Sequence, residues 1–169
     1  KELFQDLVDV GQHPKLMADT VTVMEKIGHF LDDEITDLYL DCKNEGLTKL
    51  EASPVIAERL NIARILKRAS KNFDGGYAMA GLLGHGDAFV VRDPNGIRPA
   101  YYYQDDEIVV VASERPVIQT VFNVAFEDVK ELEAGDAIIV KKNGNVILEN
   151  IREAGEKKAC SFERIYFSR

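Results

Sequence analysis

The side chains with the most chemical potential fall in one run, Arg92-Asp93-Pro94-Asn95-Gly96-Ile97-Arg98-Pro99. Two arginines and a carboxylate stand among turn-forming residues, between two apolar segments. Such a set can clamp a phosphate or carboxylate by charge-assisted hydrogen bonds, or form a charged network that pins a tight strand connection. The second is the expectation. Gly84-His85-Gly86 offers an imidazole, but a histidine between glycines reads as a turn residue rather than a base. Ser113-Glu114 sets a nucleophile beside an acid with no histidine near in sequence, so the pair is expected to cap the helix that follows. Asp32-Asp33-Glu34 suggests an acid/base pair or a cation site, yet adjacent carboxylates on a helix point to different faces, and a solvated charge run is expected. His13 and His29 lack the spacing of metal ligands, and so do Cys42 and Cys160. A disulfide between the two cysteines is unforced, and a reducing compartment is the expectation.

The whole chain narrows these choices. It has 169 residues with a net charge of -8, 46% hydrophobic and 30% charged. That composition is ordinary for one globular domain with a real core. The acidic balance argues against a nucleic-acid partner, because affinity for the phosphate backbone comes largely from Lys and Arg. No apolar run is long enough to span a bilayer, and no leader pattern opens the chain, so no membrane role is expected and the location expected is cytoplasmic.

Residues 1–72 read as mainly helical and residues 73–169 as mainly antiparallel sheet, an α+β arrangement of helices followed by strands. Leu3, Leu7, Val8 and Val10 predict a short helix ending near Gly11. Asp19 or Thr20 occupies the expected cap of a second helix, carrying Val23, Ile27, Phe30 and Leu31 on one face. A third covers Ile35 to Cys42, before Gly46. A fourth is expected to open at Ser53-Pro54 and run through Leu66. Beyond Gly76 the period changes to that of strands. Asp105-Asp106 punctuates a hairpin, and Asn143-Gly144 predicts another with a type I′ turn, which needs positive φ twice. Pro116 belongs in the first turn of a helix over 114–122.

Three stretches together resemble one family. Gly75-Gly76-Tyr77-Ala78 leads through Gly84-His85-Gly86 into Arg92–Pro99, and Val111-Ala112-Ser113-Glu114 follows. These are similar to the later part of a class II glutamine amidotransferase domain, of the N-terminal-nucleophile hydrolase type. Asparagine synthetases and glucosamine-phosphate synthases share looser versions. The run from Cys160 through Phe162 and Tyr166 to Arg169 discriminates. It resembles the segment by which amidophosphoribosyltransferases join their glutaminase domain to a phosphoribosyltransferase domain.

The resemblance implies that residues 1–169 are a piece of one four-layer αββα sandwich, holding some of its helices and much of one antiparallel sheet. It implies a parent enzyme that takes ammonia from glutamine and delivers it to phosphoribosyl pyrophosphate, for purine synthesis. Such a parent would use Mg2+, and in some members an iron–sulfur cluster to which Cys160 would be one ligand. A homo-oligomer is expected. The family's nucleophile is an N-terminal cysteine with its own α-amino group as base. Lys1 and Cys42 cannot take that role, so no catalytic residue and no cofactor is expected within this piece, which alone would be inactive. Ala18-Asp19-Thr20-Val21 matches, with departures at Ala18 and Val21, the motif whose aspartate holds the glutamine α-ammonium. Asp19 is thus either a substrate contact or a helix cap. The alternatives are another class II amidotransferase, asparagine-synthetase-like, or a non-catalytic regulatory module on the same scaffold.

Overall fold

Caps and left-handed glycines, more than apolar periodicity, decide where the helices begin and end. The computed structural model describes residues 2–16, 18–158, 160–162 and 165. The chain divides into two units, Lys1–Phe73 and Asp74–Arg169. The first carries α1 (Glu2–Asp9), α2 (Asp19–Asn44), α3 (Lys49–Arg59) and α4 (Ile62–Ala69). α1 closes where Gly11 turns to φ +83 and Gln12 N–H donates to Leu7 O at 2.8 Å. The second and third expected helices are one helix, α2, of 26 residues. Neither Gly nor Pro lies between Leu31 and Ile35, so nothing interrupts it. Gly46, at φ +85, stops it, and Leu47 N–H reaches back to Cys42 O at 3.0 Å.

The expected fourth helix is two. α3 opens at Thr48, not at Ser53-Pro54: the Glu51 carboxylate accepts from Thr48 N at 2.9 Å while the Thr48 hydroxyl accepts from Glu51 N. This reciprocal cap outweighs the pull of Pro54 toward a first turn, and Pro54 lies inside α3. The break to α4 falls where the Asn61 side chain caps Arg64 N at 2.9 Å. α4 buries Ile62, Ala63, Ile65, Leu66 and Ala69, a stripe at helical spacing.

The acidic run of α2 is not a solvated face. Glu34 is buried and lies 3.3 Å from Arg64 Nε, and Asp33 pairs with Arg68 at 2.8 Å. The Arg68 guanidinium also stands over the Phe30 ring at 4.5 Å. At the other end of α2, Lys26 pairs with Asp6 of α1 at 3.2 Å. These pairs set the facing of α2 more than its stability, since each has a solvent-exposed partner and is worth about 0.2–1 kcal/mol.

The second unit corrects the expectation of a single sheet. β1 (Ala78–Leu82), β2 (Ala88–Arg92), β6 (Asp136–Val140) and β7 (Val146–Asn150) form one antiparallel sheet in the order β1-β2-β6-β7. β3 (Tyr101–Gln104), β4 (Val109–Ala112) and the short β5 (Lys130–Glu131) form a second, in the order β4-β3-β5. The hairpins are local and legible; the pairings β2·β6 and β3·β5 bridge long sequence gaps and leave no local mark. The two sheets share a core: Tyr102, Val109 and Val111 of one meet Val90, Ile138 and Val146 of the other, with Ala100 and Leu132. α5 (Arg115–Phe122) starts with Pro116 in its first turn, and its Ile118 is fully buried.

The hairpin at Asn143-Gly144 forms, but not with a type I′ turn. Gly144 alone takes positive φ, at +86. Its N–H closes on Lys141 O, and Lys141 N–H on Asn145 O, both at 2.8 Å. A three-residue loop ending in a left-handed glycine satisfies the same twist. Residues 73–169 are not strand to their end: of the run that closes the chain, the described Ser161, Phe162 and Ile165 are helical. Among the described residues no helix is long and apolar enough to cross a membrane.

Thr48→Ala removes half of the reciprocal cap and should lower the stability of the helical unit by about 1 kcal/mol in urea melts. The same cap is pH-sensitive. The Thr48 hydroxyl first, then its backbone N–H, hold Glu51 below its ordinary 4.5. The sign follows: the contribution is complete above about pH 4.5 and fades as Glu51 protonates below it, so wild type and Thr48→Ala should converge in acid.

Candidate functional site

The run Arg92–Pro99 joins β2 to β3, and so carries the chain from one sheet to the other. A β-turn closes it, with Gly96 N–H on Asp93 O at 3.1 Å and Gly96 at φ +60. Asp93 is fully buried. Its carboxylate accepts four backbone N–H groups: Asn95 at 3.1 Å and Ile97 at 2.9 Å on Oδ1, Tyr77 at 3.3 Å and Arg98 at 3.0 Å on Oδ2. Its own N–H donates to Tyr77 O at 2.8 Å, and its carbonyl takes Gly135 N–H at 3.0 Å. A charge can be buried here because every lone-pair direction is used.

Arg92 is equally committed to the protein. It is 4% exposed. Nε donates to Arg98 O at 2.7 Å, Nη2 to Gly96 O at 3.2 Å, and Nη1 to both Glu131 Oε1 at 2.8 Å and Leu132 O. Arg92 ends β2 and Glu131 ends β5, so one guanidinium ties the two sheets together. Arg92 and Asp93 form the strand-pinning network expected of them, with no free fork for a ligand phosphate.

A cavity of about 470 Å³ opens beside this network. It brings the pair Ser113-Glu114 together with Arg92 and Cys160, which lie far from it in sequence, and with Glu131 and Lys157. Glu114 stands at the cap position of α5 but makes no side-chain cap bond, contrary to expectation. Arg115 lines the same cavity. Its guanidinium lies 4.3 Å from the Phe126 ring centre and 5.0 Å from that of Tyr101, and Nη1 donates to Phe126 O at 2.8 Å.

His85 sits in the turn that its flanking glycines suggest, closed by Gly86 N–H on Leu83 O at 2.9 Å. Its Nε2 lies 3.0 Å from the buried Asp87 carboxylate, which also contacts Lys141 Nζ and accepts Lys142 N–H at 2.8 Å. Burial alone would raise the Asp87 carboxyl, but Lys141, His85 and the Lys142 amide outweigh it and hold the group below its ordinary 3.8. Sequence reading missed Asp87, Lys141, Glu131 and Arg115. The one signal for Asp87 is a carboxylate opening an apolar strand, where nothing but a partner could keep it.

Asp19 lies in the first unit. The cap residue of α2 is Ala18, not Asp19 or Thr20, and no side chain caps the helix. Asp19 is the first helical residue, exposed, and among the described residues its carboxylate has no hydrogen bond or ion pair. The positive helix terminus favours its charge. The structure thus leaves this carboxylate unused while consuming those of Asp93 and Asp87. Cys42 is buried within α2. Among the described residues no three His, Cys, Asp or Glu side chains converge as metal ligands.

Residues 1–120 match the family model described as a glutamine amidotransferase domain. Curated relatives include the amidophosphoribosyltransferase of Escherichia coli K12, 27% identical over 86% of this chain and 29% of its own length. That of Pasteurella multocida is 33% identical over 62% and 21%, and that of Methanothermobacter thermautotrophicus 29% over 66% and 23%. Among solved structures, a glutamine phosphoribosylpyrophosphate amidotransferase from B. subtilis, complexed with ADP and GMP, superposes with a TM-score of 0.54 at 26% identity. It covers 79% of this chain and 30% of that one. A structure described as the allosteric regulatory enzyme of purine biosynthesis gives 0.54 at 25%, over 80% and 30%. The chain therefore spans less than a third of the length of these relatives.

Asp93→Asn keeps the shape but offers one oxygen where two serve four donors. It should cost on the order of 3–5 kcal/mol, read as a fall in the urea midpoint of the strand-rich unit. A cost below about 1 kcal/mol would show that the carboxylate is not what holds the crossing.

Proposed function

The chain belongs to the glutamine amidotransferase domain family, and from that membership we propose that it forms part of the glutamine-handling domain of an amidophosphoribosyltransferase. The parent enzyme would release the amide nitrogen of glutamine as ammonia and deliver it to phosphoribosyl pyrophosphate, giving phosphoribosylamine. The observation that carries this reading is the superposition on the B. subtilis enzyme over 79% of the chain, in register with 26% identical residues. The fold is α+β, of the N-terminal-nucleophile hydrolase type.

The chemistry of such a domain needs a thiolate with a base beside it. Cys42 is fully buried in α2, out of reach of any substrate. Cys160 lines a cavity, but its α-nitrogen is locked in a peptide bond and cannot be the base. Asn95-Gly96 and Asn143-Gly144 are occupied as turns, which argues against either as the donors that would stabilise an oxyanion. We therefore place the nucleophile and those donors on sequence outside residues 1–169. Asp19 would hold the α-ammonium of glutamine: it is exposed, unpaired among the described residues, and adds a full charge to the ammonium's hydrogen bond. Mg2+ and any iron–sulfur cluster would belong to the parent enzyme, with Cys160 contributing one cluster ligand at most. Assembly into a homo-oligomer and a cytoplasmic location are part of the same proposal.

Two assays test it. Residues 1–169 alone should release no ammonia from glutamine, and release abolished by Cys160→Ser would overturn that. In the native full-length protein, Asp19→Asn should raise KM for glutamine about tenfold or more, the loss of one charge-assisted bond, while synthesis from free ammonia stays unchanged. An unaltered KM would return Asp19 to a purely helical role.

A further inference from the structure

We propose that Asn95 is a positioning residue: it clasps the segment that follows β7, and so fixes the direction in which the chain leaves the two sheets. Residues 151–158 form no regular element, and their composition, with Gly155, Glu156, Lys157 and Lys158, is that of a solvated linker. The structure does not treat them as one. Ile151 N–H and Arg152 N–H both donate to Gly135 O, at 2.9 and 3.0 Å. Farther along, Gly155 N–H donates to Pro94 O and Lys158 N–H to Asn95 O, both at 2.8 Å. Between them the Asn95 side-chain amide donates to Glu156 O at 3.0 Å. The fit is close: a Cβ at Gly155 would stand 2.6 Å from Asn95 Nδ2. Lys157 Nζ lies 3.9 Å from Glu131, the carboxylate that holds Arg92.

These contacts converge on one object. Gly135, Pro94 and Asn95 are all fixed by Asp93, through Gly135 N–H on its carbonyl and Asn95 N–H on its carboxylate. The linker is therefore registered against the hydrogen-bond network of Asp93, where the chain crosses between sheets. A free linker would let whatever follows it sample many orientations and would lower the effective concentration of one site at the other. That matters when the species passed on is ammonia, which bulk water protonates into a form with no lone pair for attack. The functional half of the inference rests on the amide-transfer reading above; the clasp itself does not.

The experiment uses the native full-length protein with Asn95→Asp, Gly155→Ala and the double variant Asn95→Ala/Gly155→Ala. Asn95→Asp keeps the turn preference but replaces the donor with an acceptor facing Glu156 O. It should speed tryptic cleavage at Lys157 and Lys158 about fivefold, the loss of one hydrogen bond. Glutamine hydrolysis and synthesis from free ammonia should stay near wild type, while phosphoribosylamine formed per glutamine consumed falls about twofold or more. Gly155→Ala should do the same by displacing the Asn95 amide, and the double variant should be cleaved no faster than Asn95→Asp, because all three break the same bond. Unchanged cleavage overturns the clasp. Faster cleavage with an unchanged product ratio overturns the positioning role, and so does a parallel fall of all three activities with Tm. If the wild-type protein hydrolyses no glutamine, the proposed function fails, and the clasp is then decided by the cleavage rates alone.

Discussion

Three segments of the strand-rich unit are registered to one buried carboxylate. Asp93 holds the amides of Tyr77, Asn95, Ile97 and Arg98 on its side chain, and its main chain binds Tyr77 and Gly135. These groups come from the entry to β1, from the crossing to β3, and from the turn into β6. Burying a charge costs several kcal/mol unless its lone pairs are met, and here backbone donors meet all of them. The consequence is geometric. An apolar residue would let the crossing slide; a carboxylate with four donors permits one arrangement.

Arg92 supplies the second half of the constraint. The core between the sheets is apolar, with Tyr102 and Leu132 beside Ala100, Val109, Val111 and Ile138, and apolar burial is non-directional. The Arg92–Glu131 pair and the bond to Leu132 O connect a long strand of one sheet to the two-residue strand of the other. β5 is too short to specify its own register by side-chain alternation. Its place is set by this contact and by its pairing of Tyr101 with Glu131 and Tyr102 with Lys130.

Local signals were legible where they were chemical. Gly11, Gly46 and Gly144 mark the ends and turn that their lack of a side chain allows, and Tyr101–Gln104 pairs with Val109–Ala112 about Asp105 as the alternation suggests. The failures have two causes. The division of the strands into two sheets depends on contacts distant in sequence, whereas the split of one expected helix into α3 and α4 follows from caps at Thr48 and Asn61, and the fusion of two into α2 from the lack of any breaker between Leu31 and Ile35. Thr48 beats Pro54 because two reciprocal bonds outweigh a preset φ. Glu34 looked solvated because Arg64, its partner, lies far along the chain on another helix.

Residues that hold the fold and residues available for chemistry separate on the same ground. The densest motif in the chain, Arg92–Pro99, is also the most internally consumed: nearly every charged atom of Arg92 and Asp93 is engaged by a neighbour. Density of unusual residues therefore marks geometry here, not reactivity. Asp19 has the opposite profile: among the described residues its carboxylate is attached to nothing within its unit. A carboxylate kept exposed at a helix N-terminus with no cap bond contributes little to folding beyond the dipole. Its charge stays available to a cation from outside, as the proposed contact with the α-ammonium of glutamine requires.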